Sequence, residues 1–559
     1  MPYNHWWRTQ RKYLTTGLKV SRILEKIALY LEMKGENPFK IRAYQKASGV
    51  ISNDYSFYEG DELLHQIKST PGIGEKIYLL ISEAIHTGKS LLLEKLEEEI
   101  NPGVLSFLKI PGVGPRTAYN LYKNLYCYDL KTLKHILLTF PEPLPGISEN
   151  LRKKLLAGIE LVLNSEQLLL PLDIETAVYN YLHKMSLDTS RFEIAGDFRR
   201  GEFVSRSATI IIEDLTRPET EYLEFDNPIP LRVVLTPSFI PSLFFHTGPE
   251  DEYERVKDKL LTRGFNLTSN ELYSKSGRKI PLESEEELYN LAETCYYPPE
   301  LRSVSWRNEY QKDLLIDLPD IKGDFQTHST WSDGAQSIKE IHKIASRLGY
   351  EYIAITDHSK SLKIAGGLNE DEFLELKKEI DSINSKNQGT YLLWGGEIDI
   401  LKDGSLDLEE NILKLMDWPI GAIHSNFSMD KDKMTERMVK AIRNPYLKGI
   451  VHPTGRILKE RLPYQLDIDF IIKEAVKYNK YLEVNSQPFR LDLDVDDIRK
   501  VKAVKGKVFL GTDAHSPLEL NYIRYGIALL KKSCFPKHDI LNTYNLKQLK
   551  SALHESTYT

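Results

Sequence analysis

Asp324-Phe-Gln-Thr-His-Ser-Thr-Trp-Ser-Asp-Gly334 opens a series of short acid- and histidine-bearing motifs that fills the last third of the chain. The others are Ala354-Ile-Thr-Asp-His358, Gly395-Gly-Glu-Ile-Asp399, Ala422-Ile-His-Ser425, Val451-His-Pro453 and Gly511-Thr-Asp-Ala-His515. Each ends or follows a short apolar run such as Tyr352-Ile-Ala-Ile355, Tyr391-Leu-Leu393 or Val508-Phe-Leu510. Polar side chains delivered in turn from the ends of short buried runs are the layout of a β/α barrel, whose parallel strands present their chemistry at one rim.

A single histidine in a core is more often a hydrogen-bonded structural residue than a ligand. Here five of the 14 histidines, His328, His358, His424, His452 and His515, fall in the motifs, and carboxylates accompany them. That coincidence predicts a metal centre. Nitrogen and carboxylate donors without thiolate suit Mn, Fe or Zn.

The motifs resemble the PHP family of metal-dependent phosphoesterases over about residues 320–535. The likeness is greatest to the PHP module at the C-terminus of bacterial family X DNA polymerases, the PolX group. Ala365-Gly-Gly367 and Glu483-Val-Asn-Ser-Gln-Pro-Phe-Arg-Leu-Asp492 resemble that branch in particular. The resemblance implies a distorted (β/α)7-type barrel. It also implies two or three divalent ions, Mn favoured and Zn or Fe possible, lined by Gln326, His328, Asp333, His358, Glu397, His424, His452, Asp513 and His515. The implied sharing gives one ion to His328, Glu397 and Asp513, a second to Asp333, His358 and His515, and a third to Glu397, His424 and His452. Gln326 departs from the family's opening His-x-His, and its neutral amide is a weaker ligand or a support for one. Arg456 and Arg490 fit as phosphate clamps, with rim salt bridges as the plain alternative.

The 559 residues predict about three domains. Met1–Lys19 has no signal-peptide pattern, and no apolar run is long enough for a bilayer. Cys127, Cys295 and Cys534 are too few and too scattered for a disulfide framework, so a cytoplasmic protein is expected. The net charge of −6 conceals an asymmetry. Residues 1–165 carry 22 Lys/Arg against 17 Asp/Glu, whereas 166–310 carry 16 against 26. A phosphate backbone is therefore expected on the first segment and not on the second.

Two copies of one pattern lie in that first segment: Ile67-Lys-Ser-Thr-Pro-Gly-Ile-Gly-Glu-Lys-Ile77 and Leu108-Lys-Ile-Pro-Gly-Val-Gly-Pro-Arg-Thr-Ala118. Each joins two apolar helices by a Pro-Gly-x-Gly turn. Glycines Gly72, Gly74, Gly112 and Gly114 leave backbone N–H groups open at a helix start, and Lys76 and Arg116 follow in its first turn. One such turn serves any helix pair. Two with the same flanks are identified as helix-hairpin-helix motifs, which hold DNA by its backbone without reading sequence. Pro145-Gly-Ile-Ser148 looks like a worn third copy. Asn37-Pro-Phe-Lys-Ile-Arg-Ala-Tyr-Gln-Lys46 resembles the N-terminal domain of family X polymerases. The position of that family's lyase lysine is Leu80, which offers no amine for a Schiff base.

Residues 166–310 resemble the family X palm and thumb, through Ala195-Gly-Asp-Phe-Arg-Arg200, Phe245-His-Thr-Gly248 and Tyr296-Tyr-Pro-Pro-Glu-Leu-Arg302. Where that family carries three catalytic aspartates, this chain has Ser207, Thr209 and Pro230. Two-metal nucleotidyl transfer needs bridging carboxylates, and no Asp-x-Asp occurs in 190–235. The fold expected is thus multidomain α+β and α/β: a helical helix-hairpin-helix domain (1–165), a degenerate palm/thumb (166–310) and a PHP barrel (320–559). The function expected is a metal-dependent 3′–5′ exonuclease or 3′-end-processing phosphoesterase of DNA repair, without polymerase or lyase activity. A small-molecule phosphatase and a non-catalytic DNA-end scaffold are the alternatives.

Overall fold

The computed structural model describes residues 16–555, apart from 56–57, 59, 69, 140–146, 166–167, 188–189, 226–228 and 387–388. The chain forms two compact units, Met1–Gln167 and Leu168–Thr559. Among the described residues, no helix is long and apolar enough to cross a membrane.

The first unit is helical. Its helix Thr16–Met33 carries Val20, Leu24, Ile27 and Leu31 on one stripe, all at most 2% exposed. That stripe is the heptad-like spacing of an amphipathic helix. Asn37 caps the next helix, Pro38–Asp54, by accepting from Phe39 N, and Pro38 occupies the first turn, where its missing N–H costs nothing. Both Pro-Gly-x-Gly segments become turns into helices, Glu75–Thr87 and Pro115–Leu125, with Gly74 and Gly114 as caps. Half of the third copy, residues 145–146, lies outside the described residues.

The second unit begins with a four-stranded sheet of β1 (Phe192–Ala195), β2 (Ala208–Glu213), β3 (Glu221–Phe225) and β4 (Leu231–Thr236), in the order β1-β2-β4-β3. A smaller part follows, with the hairpin β5 (Phe265–Leu267) and β6 (Leu272–Ser274) packed on helix Glu250–Thr262. A buried triad couples the two parts. Glu285 accepts two hydrogen bonds from Arg199 at 2.9 Å and two more from Arg302 at 2.9–3.0 Å. Burial alone would raise Glu285, but the two guanidinium charges hold it down at about 2. A buried carboxylate is tolerable only with such full pairing.

Seven parallel strands complete the unit: β7 (Gly323–Thr327), β8 (Tyr352–Ile355), β9 (Tyr391–Asp399), β10 (Trp418–Ala422), β11 (Gly449–Ile450), β12 (Tyr481–Asn485) and β13 (Val508–Gly511). Their spatial order is their chain order, and a bridge between Thr327 and Ala514 closes the last strand on the first. This is the β/α barrel that the motif series predicts, of the (β/α)7 type that the resemblance implies. Helices run between the strands, and one interior layer packs Phe325, Trp418, Tyr481 and Phe509 with Leu549 and Leu553 of the C-terminal helix. The sheet part is fastened to the barrel: Arg524 pairs with buried Glu175, and Trp306 Nε1 donates to Lys532 O at 2.8 Å.

Candidate metal centre

Every motif emerges at the C-terminal end of its strand. Gln326 lies in β7 and His328 just beyond it; His358 follows β8; Glu397 and Asp399 end β9. His424, His452, Asp513 and His515 follow β10, β11 and β13. The side chains converge. Three groups have donor atoms within 4.8 Å of one another: His328, Asp333, His358 and His515; His358, Glu397 and His424; and His328, Glu397 and Asp513. The first contains the expected trio plus His328, and the third is the expected one. In the second, His358 stands where His452 was expected, although His452 Nε2 lies 2.9 Å from Glu397 Oε1.

Glu397 is the hub. Its carboxylate lies 3.3 Å from His328 Nε2, 3.5 Å from His358 Nδ1 and 3.0 Å from His424 Nε2. Burial would raise its pKa, but the His358 and His424 charges drive it well below the usual range. For His328, burial opposes the proton, yet Asp513 and Glu397 hold the imidazole well above its ordinary value. His424 rises to about 9 against the effect of burial, because Glu397 and Asp399 face it. His452 goes the other way, to about 4, through burial and the charge of Arg490. The carboxylates thus call for more positive charge than neutral histidines bring.

The donor set fits a cation. Among the described residues, His328 Nδ1 and Nε2, His358 Nδ1 and His452 Nδ1 are buried without a hydrogen-bond partner. Buried nitrogens left unpaired are costly unless something else satisfies them, and those of His328 and His358 lie among carboxylates. Three nitrogen- and oxygen-donor groups without sulfur match a hard or borderline divalent ion. His452 and Asp513 also hold positive φ, +30° and +53°, in the left-handed region that side chains resist. Such strain gathers where surrounding structure fixes a working side chain.

Several supports were not assigned from the sequence. Asp399 Oδ1 accepts from His424 Nδ1 at 2.9 Å, the carboxylate–imidazole arrangement that fixes which nitrogen faces inward. Glu483 Oε2 accepts from His452 N at 2.6 Å, and Asp324 receives Gln326 N and Thr512 N, each at 3.1 Å. Asp357 binds Ser329 N and Ser332 Oγ, setting the loop that carries Asp333. Gln326 Nε2 donates to Glu397 Oε2 at 3.1 Å, so its amide supports the hub. Glu483 and Asp399 lie inside quoted motifs, yet spacing cannot separate a ligand from its support.

Arg490 and Arg456 part company. Arg490 Nε lies 3.4 Å from Asp513 Oδ2, and its Nε and Nη1 are buried without hydrogen bonds. Arg456 does not reach the cluster. It donates to Arg490 O at 2.9 Å, to Leu491 O and to Asp494 Oδ2 at 3.2 Å. The chain turns at Gly455, whose φ is +62°, so four residues after His452 the side chain faces the next loop.

In the N-terminal unit Gly72, Gly74, Gly112, Gly114, Lys76 and Arg116 are all exposed. Gly72 and Gly112 adopt φ of +103° and +81°, the left-handed turn that glycine permits. No side chain caps either following helix. Leu80 is buried in helix Glu75–Thr87. In the four-stranded sheet, Thr209 is paired across β2 and β4 with Arg232, whose Nε donates to Glu224 at 2.6 Å. Glu213 sits at the far end of β2 beside Arg191. Among the described residues, all three groups spaced to hold an ion lie in the barrel.

Comparisons with known proteins agree with this architecture. The DNA polymerase/3′-5′ exonuclease PolX of Bacillus subtilis is 32% identical over 570 residues, covering 96% of this chain and 98% of its own. The chain belongs to the PolX family. A helix-hairpin-helix domain family matches residues 18–90 and the DNA polymerase beta thumb family residues 242–303. A probable phosphatase of Caldanaerobacter subterraneus subsp. tengcongensis is 31% identical over 243 residues, 42% of this chain and 91% of that protein. Another, of Thermoanaerobacter sp., is 29% identical over 243 residues, 42% of this chain and 94% of its own. PolX membership thus joins a DNA-binding helical unit to a phosphatase-like barrel.

Proposed function

We propose that this PolX-family chain is a metal-dependent 3′–5′ exonuclease and 3′-end-processing phosphoesterase of DNA repair, cytoplasmic, whose polymerase part no longer polymerises. In this reading 1–165 grips DNA, 166–310 is a non-catalytic palm and thumb, and 320–559 hydrolyses. One observation carries it: nitrogen and carboxylate donors from six strand ends meet around Glu397, with buried imidazole nitrogens left unpaired.

His328, Asp333, His358, Glu397, His424, His452, Asp513 and His515 would hold the ions, with Gln326 beside them. Divalent ions there supply Lewis acidity toward a phosphoryl oxygen and lower the pKa of water. The chain's own groups do the rest. Asp399 keeps the proton on His424 Nδ1, so Nε2 faces inward. Arg490 offers two unengaged N–H groups to a phosphate oxygen. Gly72, Gly74, Gly112 and Gly114, with Lys76 and Arg116, hold the DNA backbone and bring a 3′ end to the barrel.

Loss of polymerisation rests on Ser207, Thr209 and Pro230 supplying no carboxylate, and on Arg232 lying opposite Thr209. Absence of lyase chemistry rests on Leu80. A labelled primer–template incubated with Mn²⁺, with chelator, and with Mn²⁺ plus dNTPs tests the whole reading. Ion-dependent shortening supports it. DNA binding without turnover would leave a scaffold, release of phosphate from small esters alone would leave a phosphatase, and templated extension would overturn the palm reading.

A further inference from the structure

Beside the metal centre, two loops meet in a stack that the hydrolytic reading does not use. The loop after β10 carries Phe427, three residues beyond His424, and the loop after β11 carries Arg461 and Tyr464 beyond His452. Arg461 Cζ lies 4.1 Å from the Phe427 ring centroid, and Tyr464 stacks on Phe427 at 6.3 Å with an interplanar angle of 11°. The stack is anchored to the ligand loop itself: Tyr464 Oη donates to Pro453 O and Arg461 Nε to Gly455 O, each at 2.8 Å.

Among the described residues no carboxylate pairs with Arg461; its contacts are the ring and one carbonyl. Burial and the nearby charge of Arg490 push its pKa below the ordinary value. Arg461 is thus held against an aromatic ring with no ion pair of its own among the described residues, near Arg490, which faces Asp513. Like charges so placed suit a ligand with both an anionic group and a flat π surface. Three large apolar side chains are exposed on loops at the same strand ends. Ile364, Leu462 and Phe489, on the loops after β8, β11 and β12, are 96%, 61% and 39% exposed. Unpaired nucleic-acid bases stack on aromatic and arginine planes whatever their sequence.

We infer that Arg461, backed by Phe427 and Tyr464, is the platform on which the base of the 3′-terminal nucleotide stacks while Arg490 takes its phosphate. This rests on the hydrolytic reading above and gives the barrel a nucleotide, not a simple phosphate ester, as its ligand. Calorimetric titration of the full-length, Mn²⁺-loaded chain with thymidine 5′-monophosphate and with base-free deoxyribose 5-phosphate tests it. The parent prefers the nucleotide by about ten- to hundredfold, the worth of one stacked base. Phe427→Leu and Arg461→Gln reduce that preference to about threefold or less, and Arg461→Lys does the same, because it keeps the charge but loses the plane. Equal binding of both ligands by the parent overturns the platform, and so does a full preference in Arg461→Lys. Turnover of the p-nitrophenyl ester of thymidine 5′-monophosphate, set against bis(p-nitrophenyl) phosphate, is scored separately. Nucleotide preference without turnover sinks the hydrolase and keeps the platform; turnover without preference does the reverse.

Discussion

Replacing Asp399 isolates one element of the metal centre that can be measured without turnover. Among the described residues its side chain makes one hydrogen bond, accepting from His424 Nδ1 at 2.9 Å, and it is buried. That bond keeps the proton on Nδ1 and leaves Nε2 toward Glu397, 3.0 Å away. Asp399→Asn retains shape and an accepting oxygen but removes the charge; Asp399→Ala removes both. Partners behind a metal-bound histidine are worth about 10- to 100-fold in affinity, or about 1.4–2.7 kcal/mol. Asn should fall near the lower bound and Ala near the upper one. Competition of Mn²⁺ and Zn²⁺ against a chelating fluorophore, with elemental analysis of the dialysed protein, gives both numbers. Circular dichroism confirms that the fold survives. An Ala variant that keeps parental affinity within about threefold would refute the idea that His424 is oriented for an ion.

Four further outcomes follow from the same geometry. Glu397→Gln removes the charge shared by His328, His358, His424 and His452 and should abolish ion-dependent cleavage while DNA binding through the N-terminal unit persists, as read by gel shift beside the primer assay. In metal-free protein, His424 is raised from 6.5 to about 9, so its stabilising contribution is complete below pH 6.5 and is lost as pH rises through 9. Melting in chelator should therefore weaken over that window by at most about 3 kcal/mol, whereas the Mn²⁺-loaded protein should not follow, since the ion replaces the proton. Gly74→Ala meets nothing within 4 Å and needs no unusual φ, so a drop in DNA affinity at fixed salt with unchanged melting would locate the phosphate contact there; unchanged affinity would remove it. Placing acids by Ser207→Asp and Thr209→Asp should not yield extension of a primer while Arg232 faces position 209, and any extension by the double variant would overturn that electrostatic argument.

Barrel and cluster were legible because sequence and space run together in this part of the chain. Strand order equals chain order, and each working side chain sits within a few residues of its strand's end, so local motifs alone trace the rim. Even β11, only Gly449–Ile450, was marked by Val451-His-Pro453. What stayed hidden depends on register and loop path. Glu397 and Asp399 are two residues apart on one strand and face the same interior, and only geometry makes one the hub and the other its support. Arg456 and Arg461 flank a turn, and the direction of Gly455 sends the first away from the cluster and leaves the second stacked on Phe427.

The contrast between the two phosphate-chemistry parts is electrostatic, and the structure sharpens it beyond a count of missing acids. At the barrel mouth three carboxylates, Asp333, Glu397 and Asp513, share histidines that satisfy only part of their charge, so a cation completes the site. On the four-stranded sheet, the place opposite Thr209 holds Arg232, whose one paired carboxylate, Glu224, is spent on it. A divalent ion entering there meets a guanidinium instead of an acid pair, and burial together with the Arg232 charge holds the nearby His246 imidazole down at about 4. Under the proposed function, polymerisation at this sheet would require inverting a local charge, whereas hydrolysis at the barrel would need only an ion that its residues already face.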